Sequence, residues 1–253
     1  MTELATTQQQ KQFKILLIGD NCKDIYQYGT IDRLSPEAPV PVFVPTYTEE
    51  RDGMAGNVAN NLEALGCHVN YLHGETSTKT RIIDARSKQQ IVRIDNDVKS
   101  TPITFETAIP DVYDAIVISD YNKGSVSYEL IEELIAFSIT IFIDTKKTDL
   151  ELMQCEWVKI NDLEYSKITS ECSGLIVTHG SHGASVIHHD ITCPAPSVEV
   201  VDVTGAGDTF LAALVCNYLH TKDIKSAVDF AILASSVTVQ HFGCYAPTLG
   251  EIL

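Results

Sequence analysis

Val201-Asp202-Val203-Thr204-Gly205-Ala206-Gly207-Asp208-Thr209-Phe210 passes from a β-branched run through two glycines into the apolar residues 211–219. Phe210, Leu214 and, further on, Val215 fall at helical spacing, so the stretch predicts a strand or loop, a tight turn, then a helix. The backbone N–H groups of Gly205, Ala206 and Gly207 then sit at a helix N-terminus, where free donors and the helix dipole attract anions. Neither glycine presents a Cβ, so the backbone can approach a phosphate closely. Asp208 is the unusual member of the turn. A carboxylate there is either a helix-capping residue or a general base beside the phosphate it helps to move.

The remaining composition narrows the class. At 253 residues the chain is long enough for one large α/β domain or two small ones, and 44% apolar residues are ordinary for a globular core. A formal charge of −16 argues against non-specific binding to nucleic acid or to an anionic membrane. The seven cysteines include no C-x-x-C pair, which suits a reducing cytosol better than a disulfide framework or a zinc site. Neither a signal peptide nor an apolar run long enough to span a bilayer is evident, so a soluble, cytoplasmic protein is expected.

Along the chain, residues 1–12 are polar and expected to be flexible. Phe13–Ile18 reads as a buried first strand ending at Gly19-Asp20. Because ligands in open α/β sheets lie beyond the carboxyl ends of strands, Asp20 and Asp24 are candidate polyol contacts, or else two solvated loop acids. The alternate prolines of Ser35-Pro36-Glu37-Ala38-Pro39-Val40-Pro41-Val42 exclude a helix and favour edge strands. Val58, Leu62 and Leu65 mark a helix stopped by Gly66, with Asn57 near its start as a ligand or an N-terminal cap. Cys67–Leu72, Ala115–Ser119, Ile139–Ile143 and Leu175–Thr178 read as further strands, and Ala227–Val239 as an apolar helix. His179, His182, His188 and His189 lack a preferred metal-ligand spacing.

Asp-Val-Thr-Gly-Ala-Gly-Asp-Thr-Phe closely resembles the C-terminal motif of the ribokinase-like (PfkB) carbohydrate kinases. The Gly19-Asp20 to Asp24 string, Ser35–Val42, and Ser119-Asp120-Tyr121-Asn122-Lys123-Gly124 resemble the heptose-7-phosphate kinase branch of that family, the kinase domain of bifunctional ADP-heptose synthases. The resemblance implies a ribokinase-like three-layer α/β/α fold with a mostly parallel central sheet, occupying residues 13–253. A small β lid is implied at about 26–50 and 76–95. It implies an ATP-dependent sugar kinase with Mg²⁺, acting on a sugar or sugar phosphate, and the branch resemblance implies heptose 7-phosphate. Asp208 would be the base, and Gly205, Ala206 and Gly207 the anion hole for the transferring phosphoryl group. Asp20, Asp24, Gly53, Asn57 and Asp120 would contact the sugar. Lys146, Asn161, Thr178, Gly180, Gly183 and Thr204 would contact the nucleotide. Asn161 and Glu164 would organise magnesium through water, which suits an ion that keeps its own waters.

The chain also departs from the family. Met54 stands where the family has a second glycine, and Ile232 and His241 stand where it often lines the adenine site with Asn and Lys. A strand–helix–strand unit between His73 and Thr78 is missing, which should shorten the sheet or expose an edge. A homodimer through the lid is expected to cover it. A second element between Glu164 and Gly174 looks trimmed, and no nucleotidyltransferase domain is expected. Two other readings stay open. One is a kinase for another sugar or a nucleoside, and the other is a binding protein without catalysis.

Overall fold

The structure, a computed structural model, describes residues 12–104 and 112–253. The flexible terminus expected over residues 1–12 lies outside these, apart from its last residue. In chain order the elements are β1 (Lys14–Leu34), β2 (Pro41–Met54), α1 (Ala55–Ala64), β3 (His68–Asp84) and β4 (Gln90–Asn96). Next come β5 (Ala115–Asp120), α2 (Tyr128–Ile135), β6 (Thr140–Thr145), β7 (Trp157–Asn161), α3 (Asp162–Tyr165) and β8 (Leu175–Thr178). The chain closes with β9 (Ala184–Val186), β10 (Ile191–Cys193), α4 (Ala206–Thr221), α5 (Ile224–Thr238) and α6 (Leu249–Ile252).

Strand order across the sheet is β10-β9-β8-β7-β6-β5-β1-β3-β4, with β2 alongside the far half of β1. The run from β3 through β8 is parallel, and the antiparallel members lie at the ends. Side chains alternate between two cores, as a pleated strand requires. Ile15, Leu17, Val117 and Phe142 pack on one face with α1, α4 and α5. Leu16, Ile18, Ile116, Ile118 and Ile143 pack on the other, under α2. Both faces of these strands are covered, so they read as unbroken apolar runs rather than alternating ones. The architecture is the ribokinase-like three-layer α/β/α arrangement.

One expectation is corrected. The first strand does not end at Gly19-Asp20 but continues to Leu34, so Asp20 and Asp24 lie within a strand and not in a loop beyond it. The chain stays extended because β3 pairs with β1 from Lys14 to Gly29, while β2 takes up the opposite edge from Asn21 onward. The far halves of β1 and β3, with β2 and β4, form a four-stranded extension in the order β2-β1-β3-β4. Tyr26, Tyr28 and Ile83 make its small core. β3 runs straight from sheet to extension, and β4 joins it only from Thr78. Among the described residues its first half is therefore an open edge of the main sheet.

Candidate active site

Gly205 adopts φ +81° and precedes the first residue of α4. A side chain there would be strained, and a Cβ would lie 2.7 Å from the Asn57 amide nitrogen, so both conformation and space require glycine. This turn is pinned from behind by Asp202. One of its oxygens accepts from the Thr204 amide (2.9 Å) and hydroxyl (2.7 Å), and the other from the Gly243 amide (2.9 Å). Burial alone would raise the Asp202 carboxyl, but these donors hold it below the ordinary carboxylate range. Thr204, expected on the nucleotide, is thus bound to Asp202, a residue with no expected role.

Asp208 sits in the first turn of α4, 4% exposed, and makes no capping hydrogen bond. Asn57 Nδ2 donates to its Oδ2 at 2.8 Å, and the Tyr121 hydroxyl donates to its Oδ1 at 2.7 Å. Burial pushes the carboxyl up to about 6 against the pull of these two donors, with Asp144 also raising it and Lys159 lowering it. Tyr121 is driven well above its usual range, first by burial and then by the Asp208 charge, so it stays a donor. Asn57 is not the cap of α1, whose N-cap is Met54; it lies inside the first turn, held by Asn61. Met54 itself is buried at φ +52°, ψ −134°, backbone space that glycine takes without strain.

Two further carboxylates sit elsewhere than expected. Asp20, 1% exposed, accepts from the backbone amides of Tyr121 (2.8 Å), Lys123 (3.0 Å) and Ser125 (3.1 Å). Asp120 accepts from the Asn122 amide (2.8 Å) and the Thr145 hydroxyl (2.7 Å) and pairs with Lys147 (3.0 Å). These acids fasten the loop after β5 and are not free for a sugar, because buried carboxylates are satisfied by whatever donors fold over them. Asp24 is ion-paired with Arg81 and lies against Gly53. Arg51 and Arg81 flank the Tyr26 ring, each 5.1 Å from its centre, and Arg51 also donates to the Phe242 carbonyl at 2.9 Å. The extension is thereby tied to the loop after α5.

A cleft of about 530 Å³ opens beside the α4 turn, lined by Thr178, Gly180, Gly183, Ala206, Gly207 and Ile232 among others. It brings together residues from both glycine turns. Val198, Val200, Val203 and Phe210 give it apolar walls. The unusual exposure of Val200 and Val203 is a signal that composition alone hid. His241, by contrast, stacks on Tyr245 with ring centres 3.7 Å apart and does not line the cleft. Asn161 caps α3 by accepting from the Glu164 amide (2.9 Å), while Glu164 accepts from the Asn161 amide (2.9 Å) and pairs with Lys146 (2.9 Å). Lys146 also lies over the Tyr121 ring, 4.9 Å from its centre.

Comparison with known proteins accords with this geometry. The pattern of the pfkB family carbohydrate kinases matches residues 139–249. The chain is 32% identical to the bifunctional protein HldE of Helicobacter acinonychis over 304 aligned positions, covering 94% of this chain and 65% of that protein. It is 33% identical to the Nitratiruptor HldE over 298 positions, covering 94% and 64%. The chain thus spans just under two thirds of the length of these relatives. Its first alignment is longer than the whole chain, so the relative carries segments that this chain lacks. Among solved structures, ribokinase from Thermotoga maritima superposes with a TM-score of 0.69 at 16% identity, covering 95% of this chain and 98% of that one. Phosphofructokinase-2 from Escherichia coli gives 0.70 at 15% identity, covering 95% and 97%. At such identities the structural likeness shows the fold.

Proposed function

Because the chain belongs to the ribokinase-like PfkB family of carbohydrate kinases, we propose that it transfers the γ-phosphoryl group of ATP to a hydroxyl of a sugar or sugar phosphate. The observation that carries this reading is the placement of Asp208. It is a buried carboxylate next in sequence to Gly207, which lines the nucleotide-sized cleft, raised to about 6 yet ionised at neutral pH, and aimed by Asn57 and Tyr121. Asp208 takes the proton of the attacking hydroxyl. The amides of Gly205, Ala206 and Gly207 receive the charge that spreads over the phosphoryl oxygens. Thr178, Gly180 and Gly183 border the nucleotide, with Lys146 beside its phosphates.

Magnesium fits this site as an ion carried on ATP. Among the described residues no three His, Cys, Asp or Glu side chains converge into a protein cage. Asn161 and Glu164 already hold each other's amides and Lys146, so they would reach a largely water-coordinated ion only through its waters. When bound, it would neutralise charge on the ATP oxygens.

For the acceptor we propose heptose 7-phosphate. Asn57 and Gly53 border the sugar side of Asp208, while Arg51 and Arg81 supply positive charge from the extension for a distal phosphate. We further propose a homodimer through the lid. Cross-strand register places Ile25 and Ile94 on one face with Ile82 and Val92, and Val92 and Ile94 are 44% and 53% exposed. The free thiols of all seven cysteines accord with a reducing, cytosolic setting.

The deciding experiment is ATP turnover with Mg²⁺ across sugars, nucleosides and sugar phosphates, including sedoheptulose and heptose phosphates. One acceptor should be turned over, and Asp208→Asn should lower that rate about a hundredfold or more with ATP binding retained. A full rate in Asp208→Asn would overturn the assignment of the base. ATP binding without turnover of any acceptor would favour a binding protein.

A further inference from the structure

We propose that Lys159, held by Asp144, is a catalytic residue that touches the phosphoryl group as it leaves ATP. The proposal rests on the kinase reading above. Lys159 lies on β7 opposite Asp144 on β6, is 4% exposed, and gives its ammonium to Asp144 Oδ2 at 2.7 Å. On its other side the ammonium approaches the first turn of α4. A Cβ added to Gly207 would stand 3.0 Å from Lys159 Nζ and, outside its own turn of α4, meet nothing else within 4 Å. An ammonium carries three donors, and among the described residues only the bond to Asp144 is formed. A buried cation with unfilled donors is costly, and an ion pair that is merely structural contributes little there. Those donors are left close to the first turn of α4, where its amides would gather a phosphoryl group.

The chemistry gives such a charge a purpose. In the transfer, the bond from γ-phosphorus to the bridging oxygen breaks and a bond to the sugar oxygen forms. The hydroxyl proton passes to Asp208, and ADP leaves with the bonding electron pair. Lys159 keeps its proton throughout. It supplies a full positive charge inside a water-poor site, from beneath the glycine turn, while the amides supply partial charges from the turn itself. Lys146 differs. It is more exposed and already paired with Glu164, which suits it to the rest of the phosphate chain.

Removing Lys159 alone would strand Asp144 as a buried unpaired carboxylate, so the informative protein is the double variant Asp144→Asn/Lys159→Met, compared with Lys159→Met and the parent. Affinities for ADP, and for ADP with aluminium fluoride as a mimic of the phosphoryl group in flight, are measured by calorimetry with Mg²⁺ present. The melting temperature is followed alongside. In the double variant we expect near-parental melting and ADP affinity within about twofold. Affinity for the mimic should be at least about tenfold weaker, and sugar turnover about a hundredfold slower. A folded double variant that binds the mimic as the parent does, or that regains turnover along with stability, would show the lysine to be a counter-ion only and overturn the proposal. Absence of sugar turnover in the parent, with the mimic still discriminated by Lys159, would count against the kinase reading alone and support the lysine's phosphoryl contact.

Discussion

Asn57 and Asp208 are 151 positions apart in sequence and share a 2.8 Å hydrogen bond that joins the first turn of α1 to the first turn of α4. The amide offers N–H to one carboxylate oxygen, and Tyr121 offers O–H to the other. Both donors favour the ionised form while burial opposes it, and the balance leaves Asp208 at about 6. Three predictions follow from this constellation, one from Asp20 and one from the lid.

A base must be ionised to accept a proton, so kcat/KM should fall as pH drops through about 6. The same shift has a stability consequence. A carboxyl whose folded-state value lies above its unfolded value of 3.8 binds more protons when folded, so the group lowers stability as pH rises through that window. Asp208→Asn should therefore be more stable than the parent above pH ~7, on the order of 1–3 kcal/mol, with the difference vanishing toward pH ~4. Thermal melts at several pH values test this, and an advantage that grows on acidification would contradict it.

Tyr121→Phe keeps the ring and removes the donor. The Asp208 carboxylate then loses a stabilising bond, so the acid limb of the rate profile should move to higher pH, while turnover at pH ~8.5 falls less than about tenfold. A profile unchanged in position would show that the tyrosine does not bond the carboxylate in the working enzyme.

Asp20→Asn replaces an acceptor of three backbone amides by a group that can accept at one oxygen only. The expected loss is roughly 2–4 kcal/mol of stability, read from urea unfolding, because the Tyr121 and Lys123 amides share one oxygen and Ser125 uses the other, so one side faces an NH2 group and the retained bonds lose their charge. Unchanged unfolding together with a raised KM for the sugar would return Asp20 to the substrate.

Ile94→Lys places a charge on the outer face of the lid, where Ile94 stands beside Thr80 in register with Ile25. Sedimentation of the parent at micromolar concentration should show a dimer and the variant a monomer. A parent that sediments as a monomer would remove the lid from consideration as an interface.

Much of the fold was legible because buried parallel strands announce themselves as apolar runs and the glycine turn announces a helix start. The limits were equally physical. Ile18-Gly19-Asp20 looked like a strand end, yet a strand ends where its partners do, and β2 and β3 carry the pairing past it. Asp20 and Asp120 looked available because their partners are backbone amides, a hydroxyl and a lysine supplied by loops that no local pattern specifies. Asn57 and Asp208 were singled out separately, but only tertiary structure shows that they bond to each other. Lys159 gave no signal because the short strand Trp157–Asn161 was not legible in the sequence and its charge is buried against a strand neighbour. Asp202 belongs to the turn's own sequence, but its link to Gly243 spans 41 positions and is invisible locally.

The unbroken passage of β1 and β3 from the main sheet into the lid has a mechanical meaning. Elsewhere a cover can swing on a flexible loop, but here two hydrogen-bonded strands carry it, and their pairing slips only between Gly19 and Asn21. Such a structure behaves as a cantilever. Its tip moves by flexing the whole ribbon, and the stiffness of the paired backbone sets how far the mouth can widen and how fast it springs back. Bulky acceptors would then be rejected by elastic energy, without any side chain having to clash with them.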